Sequence, residues 1–464
     1  MSSEKYLADK DETTVQVFVA HTTPDVEEDS HEVFGHGEGQ VDYRTTGWVK
    51  AAIFFVKMTF ATGVLSIPYS LQTLGFGVGC FFIAFWSALN TYMAIVLGDF
   101  KLRHRSVHTV AEMGEVIAGP IGREVVGFFY IVVWVLCSGI SILTVSIALN
   151  ALSDHGACTV VFTFVAYIIV CAIASVRKIS ELAWLSWIGF GCILSGIMIV
   201  VIGVAVVDRP AAAPQTGPYT LILNKGPDAS ATFTTAIAAS LAIYASSANT
   251  SGYIPVISEM KRPQDYPKAV YACMIWIFCA YISMPVVVYK FCGQYVASPS
   301  LGSANPLLTK IAYGIAFPGL VMSAVICAHL AGKYLFVRIL RNSRHLTANT
   351  SIHWITWLGS VFGLGAAAFV LASAIPFFGS LVSLIGALGF GPLGIMLPAV
   401  CWLHMYPETR TGSLKSKLAW GLHAFFVLMG AFCTIAGTYA NIVNIIDQYK
   451  AGTVGSAFSC ADNS

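Results

Sequence analysis

Charge is what this chain lacks. Only 11% of its 464 residues are Asp, Glu, Lys or Arg, while 56% are apolar; a soluble domain carries about 25% charged residues. That scarcity excludes an ordinary water-soluble globule and implies a chain that crosses a bilayer many times. The net charge of +2 comes without any basic run, which gives no footing to a nucleic-acid partner. No CxxC pair occurs, and the twelve cysteines lie mostly inside apolar runs. They read as small packing residues rather than metal ligands. The apolar runs hold no clustered carboxylates, histidine pairs or nucleophile motif, so the chain does not read as an enzyme and calls for neither a metal nor an organic cofactor. Residues 1–47 lack an apolar signal-peptide core; polar and acid-rich, they read as a disordered cytosolic tail. Lys5 and Lys10 in that tail are candidate acceptors for ubiquitin.

Apolar runs, by contrast, recur along the whole chain. They cover about 48–74, 76–99, 124–152, 158–175, 183–207, 232–256, 269–291, 306–337, 352–375, 378–402 and 418–446, each long enough for a membrane span or close to it. The reading is an all-α polytopic membrane protein with eleven transmembrane helices. With the amino terminus inside, nineteen Lys and Arg fall on the inner segments and five on the outer ones. That asymmetry sets the amino terminus in the cytosol and residues 447–464 outside. Cys158, Cys292 and Cys460 then fall near loops or ends on one side, within reach of a disulfide. The outer segment 208–231, rich in Pro, Gly and Ala, divides the spans into two sets of five, 48–207 and 232–402, with 418–446 left over.

Two spans are interrupted. The first contains Lys57-Met58-Thr59-Phe60-Ala61-Thr62-Gly63-Val64-Leu65-Ser66-Ile67-Pro68. Lys, Thr, Gly, Ser and Pro at that depth need a compensating surround such as a water-lined cavity, and a discontinuous helix supplies it. The sixth repeats the feature: Tyr244-Ala245-Ser246-Ser247-Ala248-Asn249-Thr250-Ser251-Gly252, then Pro255. Interrupted segments at corresponding places in two halves are the best sequence pointer to a transporter's binding site. The substrate carboxylate is expected at the amides of Thr62, Gly63 and Val64. The ammonium is expected at carbonyls near Thr59 and Phe60 and near Tyr244, Ala245 and Ser246. Ala61 and Asn249 complete the expected contacts. Tyr130, beside Phe129 and Trp134, offers an aromatic wall for the substrate side chain.

The pattern Lys57-x-x-x-Ala61-Thr62-Gly63-x-Leu65-x-Ile67-Pro68 resembles the first span of the amino acid/auxin permease family, with Ala61 where the family pattern has glycine. Glu259-Met260-Lys261-Arg262-Pro263 and Tyr266-Pro267-Lys268-Ala269 resemble the family's signature after the sixth span. The likeness spans the first ten helices and is greatest to fungal neutral amino acid permeases. It implies the leucine-transporter-like 5+5 inverted repeat with broken helices 1 and 6, and a secondary active transporter that imports neutral amino acids, aliphatic and aromatic.

A driven transporter needs a coupling ion. The eighth span offers Ser323 as its one Ser or Thr over 319–334, poor provision for sodium. The carboxylates Asp99, Glu124, Glu181 and Glu259 sit at span ends or in loops. His329, Lys57 and Lys333 are therefore the coupling candidates, and His329, with an ordinary pKa near 6.5, is suited to cycling a proton. The expectation is proton symport at the plasma membrane; the alternatives are an amino-acid sensor on the same fold and a vacuolar amino acid exporter. In the inner segment 101–123, His104, His108, Glu112 and Glu115 fit a short amphipathic helix with a solvated face. Tags at the two termini check the orientation: labelling intact cells is expected to reach the carboxyl-terminal tag and not the amino-terminal one.

Overall fold

The protein is described from a computed structural model that covers residues 46–176, 179–228, 230–341, 343–346, 348–452 and 456–463, without the side chains of 179–186. The tail residues 1–45, including Lys5 and Lys10, lie outside the described residues. Helices account for the fold: α1 (Trp48–Thr59), α2 (Ile67–Leu74), α3 (Phe76–Arg103), α4 (Val110–Ser153), α5 (Thr159–Ala174), α6 (Ile179–Val206), α7 (Phe233–Ser247), α8 (Ile254–Glu259), α9 (Tyr266–Cys292), α10 (Pro306–Leu340), α11 (Ser351–Ala374), α12 (Phe378–Leu384), α13 (Leu397–Met405) and α14 (Leu414–Lys450). Among the described residues, eight helical segments are long and apolar enough to cross a bilayer, and α1 with α2 forms a further span bent by 43°. The expected eleven exceeds that number for two physical reasons. Helix α5 has only sixteen residues, about 24 Å of rise against a hydrocarbon core of about 30 Å. The sixth apolar run is divided into pieces of fifteen, four and six residues.

Local sequence explains the breaks. Helix α1 stops at Phe60; Ala61 is extended, with φ −119° and ψ −155°, a conformation open to any residue, so the interruption needs no glycine there. A 3₁₀ turn, Thr62–Ser66, follows, and Pro68 sits in the first turn of α2, where its missing N–H costs nothing. Helix α7 ends at Ser247; the 3₁₀ turn Asn249–Gly252 and Pro255 near the start of α8 repeat the scheme. The tenth apolar run is interrupted differently. Residues Ile385–Met396 between α12 and α13 wind as a π-helix containing Pro392. Its glycines allow close approach: a Cβ on Gly386 would lie 2.4 Å from the Leu241 carbonyl oxygen, and one on Gly394 2.5 Å from the Tyr244 hydroxyl.

The segment expected as a separate inner amphipathic helix runs into the third span as α4, with a non-helical step at Ala118 and Gly119 ahead of Pro120. Thr109 and Glu112 form its capping box, and Glu115 pairs with Arg123 at 2.9 Å. These carboxylates thus have structural partners. On the opposite side, the loop 208–231 lies down on the helix ends. Phe76 N donates to Asn224 O at 2.8 Å and Asp228 N to Thr73 O at 3.1 Å. Gly75 makes this fit possible, with φ +77° and no room for a Cβ against Gly226.

Two ties join distant parts of the chain. Thr46 N donates to Glu259 O at 3.1 Å, and Lys261 N donates to Thr46 O at 2.9 Å, so the chain before α1 and the chain after α8 are held together by backbone. Of the three cysteines expected near one face, Cys158 and Cys460 form a disulfide. Cys292 is a buried free thiol whose sulfur donates to Ser303 O at 3.9 Å. Thr159 Oγ1 to Ala461 O, 2.7 Å, and Phe458 N to Ser373 O, 3.0 Å, fasten the same tail. Maleimide labelling of denatured protein is expected to reach Cys158 and Cys460 only after reduction. Labelling of both without reductant would remove the bond.

Candidate functional site

The two interruptions meet. Ser246, in the last turn of α7, donates from Oγ to Gly63 O at 2.8 Å, and Ser66 Oγ reaches the same carbonyl at 2.8 Å. A Cβ on Gly63 would stand 2.9 Å from Ser246 Cα. Gly63 is thus required by the approach of another backbone rather than by a left-handed conformation. Asn249 Nδ2 donates to Met58 O at 2.7 Å. Tyr281 of α9 places its hydroxyl 2.8 Å from Ser246 O and 3.3 Å from Thr59 O, one proton serving a carbonyl from each broken span. Tyr253 stacks on Phe55, with ring centroids 4.1 Å apart, and its hydroxyl bonds Thr59 Oγ1. Buried carbonyls left open by the breaks thus accept from Ser246 and Asn249 of the sixth span, from Ser66 and from Tyr281 of α9.

A cavity of about 80 Å³ opens at this junction. Lys57, Thr59, Ala61, Thr62 and Gly63 line it from the first span, and Ala245, Ser246 and Asn249 from the sixth. The facing walls come from Trp134, Cys137, Ile140 and Ser141 of α4, from Ser323, Ile326 and Cys327 of α10, and from Val382, Ile385 and Phe390. Lys57 is the one charged side chain among the lining residues; its ammonium sits over the Trp187 ring, 4.7 Å from the centroid. The Oδ1 atom of Asn249 is buried with no hydrogen-bond partner among the described residues, a vacant acceptor at the cavity edge.

Several expected site residues lie behind this wall rather than on it. Phe60 is buried against Trp276 and Phe190, at centroid distances of 5.2 and 5.8 Å. Val64 is buried and absent from the lining. Tyr130 packs on Tyr334 at 4.9 Å and on Trp134 at 5.9 Å. Tyr244 donates its hydroxyl to Phe390 O at 2.9 Å, bracing the π-helical segment. The carbonyls of Thr59 and Ser246, expected to take the ammonium, already accept from Tyr281. Of the coupling candidates, Lys57 is in the cavity, whereas His329 and Lys333 are not among its lining residues. His329 is buried; its Nδ1 lies 3.2 Å from Ala174 O and its ring meets Trp357 edge-on at 5.3 Å. Tyr281, in an unbroken span of ordinary apolar sequence, carries no signal that sequence reasoning reads as site-forming. The walls from α10 and the π-helical segment were equally hidden, except for Ser323.

Two interrupted helices that meet around a small cavity fit a small-molecule transporter, and the comparisons with known proteins place the chain in a transporter family. The chain belongs to the transmembrane amino acid transporter protein family, whose profile matches residues 44–443. It is 42% identical to a transmembrane transporter of Gibberella moniliformis, over 100% of this chain and 98% of that protein. It is 41% identical to a transmembrane transporter of Fusarium pseudograminearum, over 94% and 91%. It is 30% identical to the N amino acid transport system protein of Neurospora crassa, over 91% and 90%.

Replacing Gly63 by Val puts a branched side chain into the Ser246 backbone; overpacking of this kind costs about 1–3 kcal/mol. Uptake of every amino acid is expected to fall by about tenfold or more with surface expression kept. Should the variant not reach the surface, cysteines at Thr62 and Ser246 are expected to be protected from labelling by substrate.

Proposed function

We propose that this protein is a secondary active transporter that imports neutral amino acids by proton symport. In this reading, eleven spans form a 5+5 inverted repeat followed by one extra span, α14, with the amino terminus inside the cell and the carboxyl terminus outside. The short α5 and the divided α7–α8 segment supply the two spans that length and composition alone leave out. The observation that carries the reading is the cavity at the meeting of the two broken spans, lined by main chain and short polar side chains. Backbone groups match what all amino acids share, and the apolar walls from α4, α10 and the π-helical segment would receive the side chain. Among the described residues the lining holds no carboxylate to balance a cationic side chain, which favours neutral substrates. The vacant Asn249 Oδ1 is the acceptor we assign to the substrate ammonium, with the carboxylate at the amides following Ala61. The Neurospora crassa relative is named for amino acid transport, which agrees with an amino acid as the substrate.

The Cys158–Cys460 disulfide supports the orientation, since such bonds persist on the oxidising side of a membrane, and both residues fall on the side that the positive-inside count makes external. That orientation fits uptake across the plasma membrane. For coupling, we assign the proton to Lys57 in preference to His329, because Lys57 reaches the substrate cavity and His329 is packed between α10, α5 and α11. A proton moving inward through 100 mV releases about 2.3 kcal/mol, enough to accumulate substrate. Radiolabelled uptake of a panel of amino acids tests the reading. Uptake is expected to rise as external pH falls, to collapse with an uncoupler and to ignore replacement of sodium by choline; strict sodium dependence would overturn the symport. Lys57→Met is expected to equilibrate substrate without accumulating it, while His329→Ala keeps accumulation. The reverse pattern would move the proton to His329.

A further inference from the structure

The cavity wall contains a pair of residues to which the reading above gives no chemistry of their own. Cys137 of α4 and Cys327 of α10 both line the cavity, both are free thiols, and the two side chains are neighbours where α4 packs on α10. The remaining eight free cysteines are not among the cavity-lining residues. Ser141, one turn beyond Cys137, and Ser323, one turn before Cys327, face the same space, so the sulfurs adjoin a small polar patch open to whatever enters.

We propose that Cys137 and Cys327 form a dithiol site inside the substrate cavity, whose ligands are thiophilic species that bind two sulfurs at once: trivalent arsenicals and soft two-coordinate metal ions. Two thiols on adjacent helices can close on one centre without backbone breaking, and soft sulfur donors select such centres over hard cations. With an organoarsenical the chemistry balances simply. Each thiol gives up its proton and forms one As–S bond, while the As=O oxygen takes both protons and leaves as water; nothing is oxidised or reduced. Once the first sulfur has bound, the second acts at the high effective concentration of a neighbour, so the pair holds arsenic where a single cysteine releases it. The adduct would occupy the volume assigned above to the substrate side chain, and the inference rests on that assignment for its link to transport.

Phenylarsine oxide, applied to the purified full-length protein, is the probe, with intact mass as one readout and amino acid uptake in proteoliposomes as the other. Wild type is expected to gain one arsenical that 2,3-dimercaptopropanol removes and a monothiol does not. Cys137→Ala and Cys327→Ala, each on its own, are expected to retain the adduct about tenfold less or worse after a monothiol wash. Inhibition of uptake, scaled to each variant's untreated rate, should follow the same order. Millimolar leucine is expected to slow capture by wild type. Retention by both single variants at the wild-type level would overturn the dithiol. Pair-dependent capture that leucine leaves untouched, in protein that demonstrably transports leucine, would overturn its place in the substrate cavity. Absence of uptake for every amino acid tested would count against the transport reading alone, because the mass readout still judges the pair.

Discussion

Everything at the centre of this protein depends on two backbones coming closer than side chains normally permit. Between Gly63 and Ser246 there is no room for a single added carbon, and carbonyls at the first interruption accept from Ser246 and Asn249 of the sixth span. In hydrocarbon an unsatisfied carbonyl or amide is expensive, so the first break depends on the sixth span beside it. Tyr281 adds a third party by presenting its hydroxyl to a carbonyl from each. The cavity is what remains where this satisfaction stops. Its incomplete hydrogen bonding, seen at Asn249 Oδ1, is what makes it suited to a polar guest.

The surrounding helices translate that constraint into shape. The π-helical segment gives up regular hydrogen bonding next to the site, and Tyr244 collects one of its carbonyls. Its glycines let it lean on α4, α7 and α14 at distances that exclude a Cβ. Gly389 sits against Val133, and Gly391 and Gly430 lie on opposite sides of the contact with α14. Where π-helical turns occur they commonly mark function; here the segment supplies Ile385 and Phe390 to the cavity wall. The aromatic cluster of Phe60, Phe190 and Trp276 fills the opposite flank, holding the end of α1 in place while leaving the next residues free to face the cavity.

The breaks were legible because their residues are wrong for their setting: Thr62, Gly63 and Pro68, then Asn249, Gly252 and Pro255, have no business in a plain apolar span. Facing was not legible at single-residue level. Past Thr59 the chain leaves helical geometry, so the 3.6-residue period that assigns faces no longer applies, and Phe60 and Val64 turn inward to packing while Thr62 and Gly63 line the cavity. Tyr281, Cys137 and Cys327 sit in spans whose composition is ordinary; their importance comes from what packs beside them, which no local pattern records. His329 stood out as a titratable group within a span, yet its contacts are with Ala174 and Trp357. The reverse holds for the cysteines expected on one side of the membrane, where sequence offered three partners and proximity in the fold selected Cys158 and Cys460.

The backbone pairing of Thr46 with Glu259 and Lys261 gives the two interrupted spans a common hinge post. Each is a pair of short rods joined by a weak elbow, and the elbows touch. Fastened together at the start of α1 and the end of α8 as well, by two backbone hydrogen bonds, the rods form a linkage tied at two points. The chain just ahead of α1 is therefore a lever on both halves of the site at once.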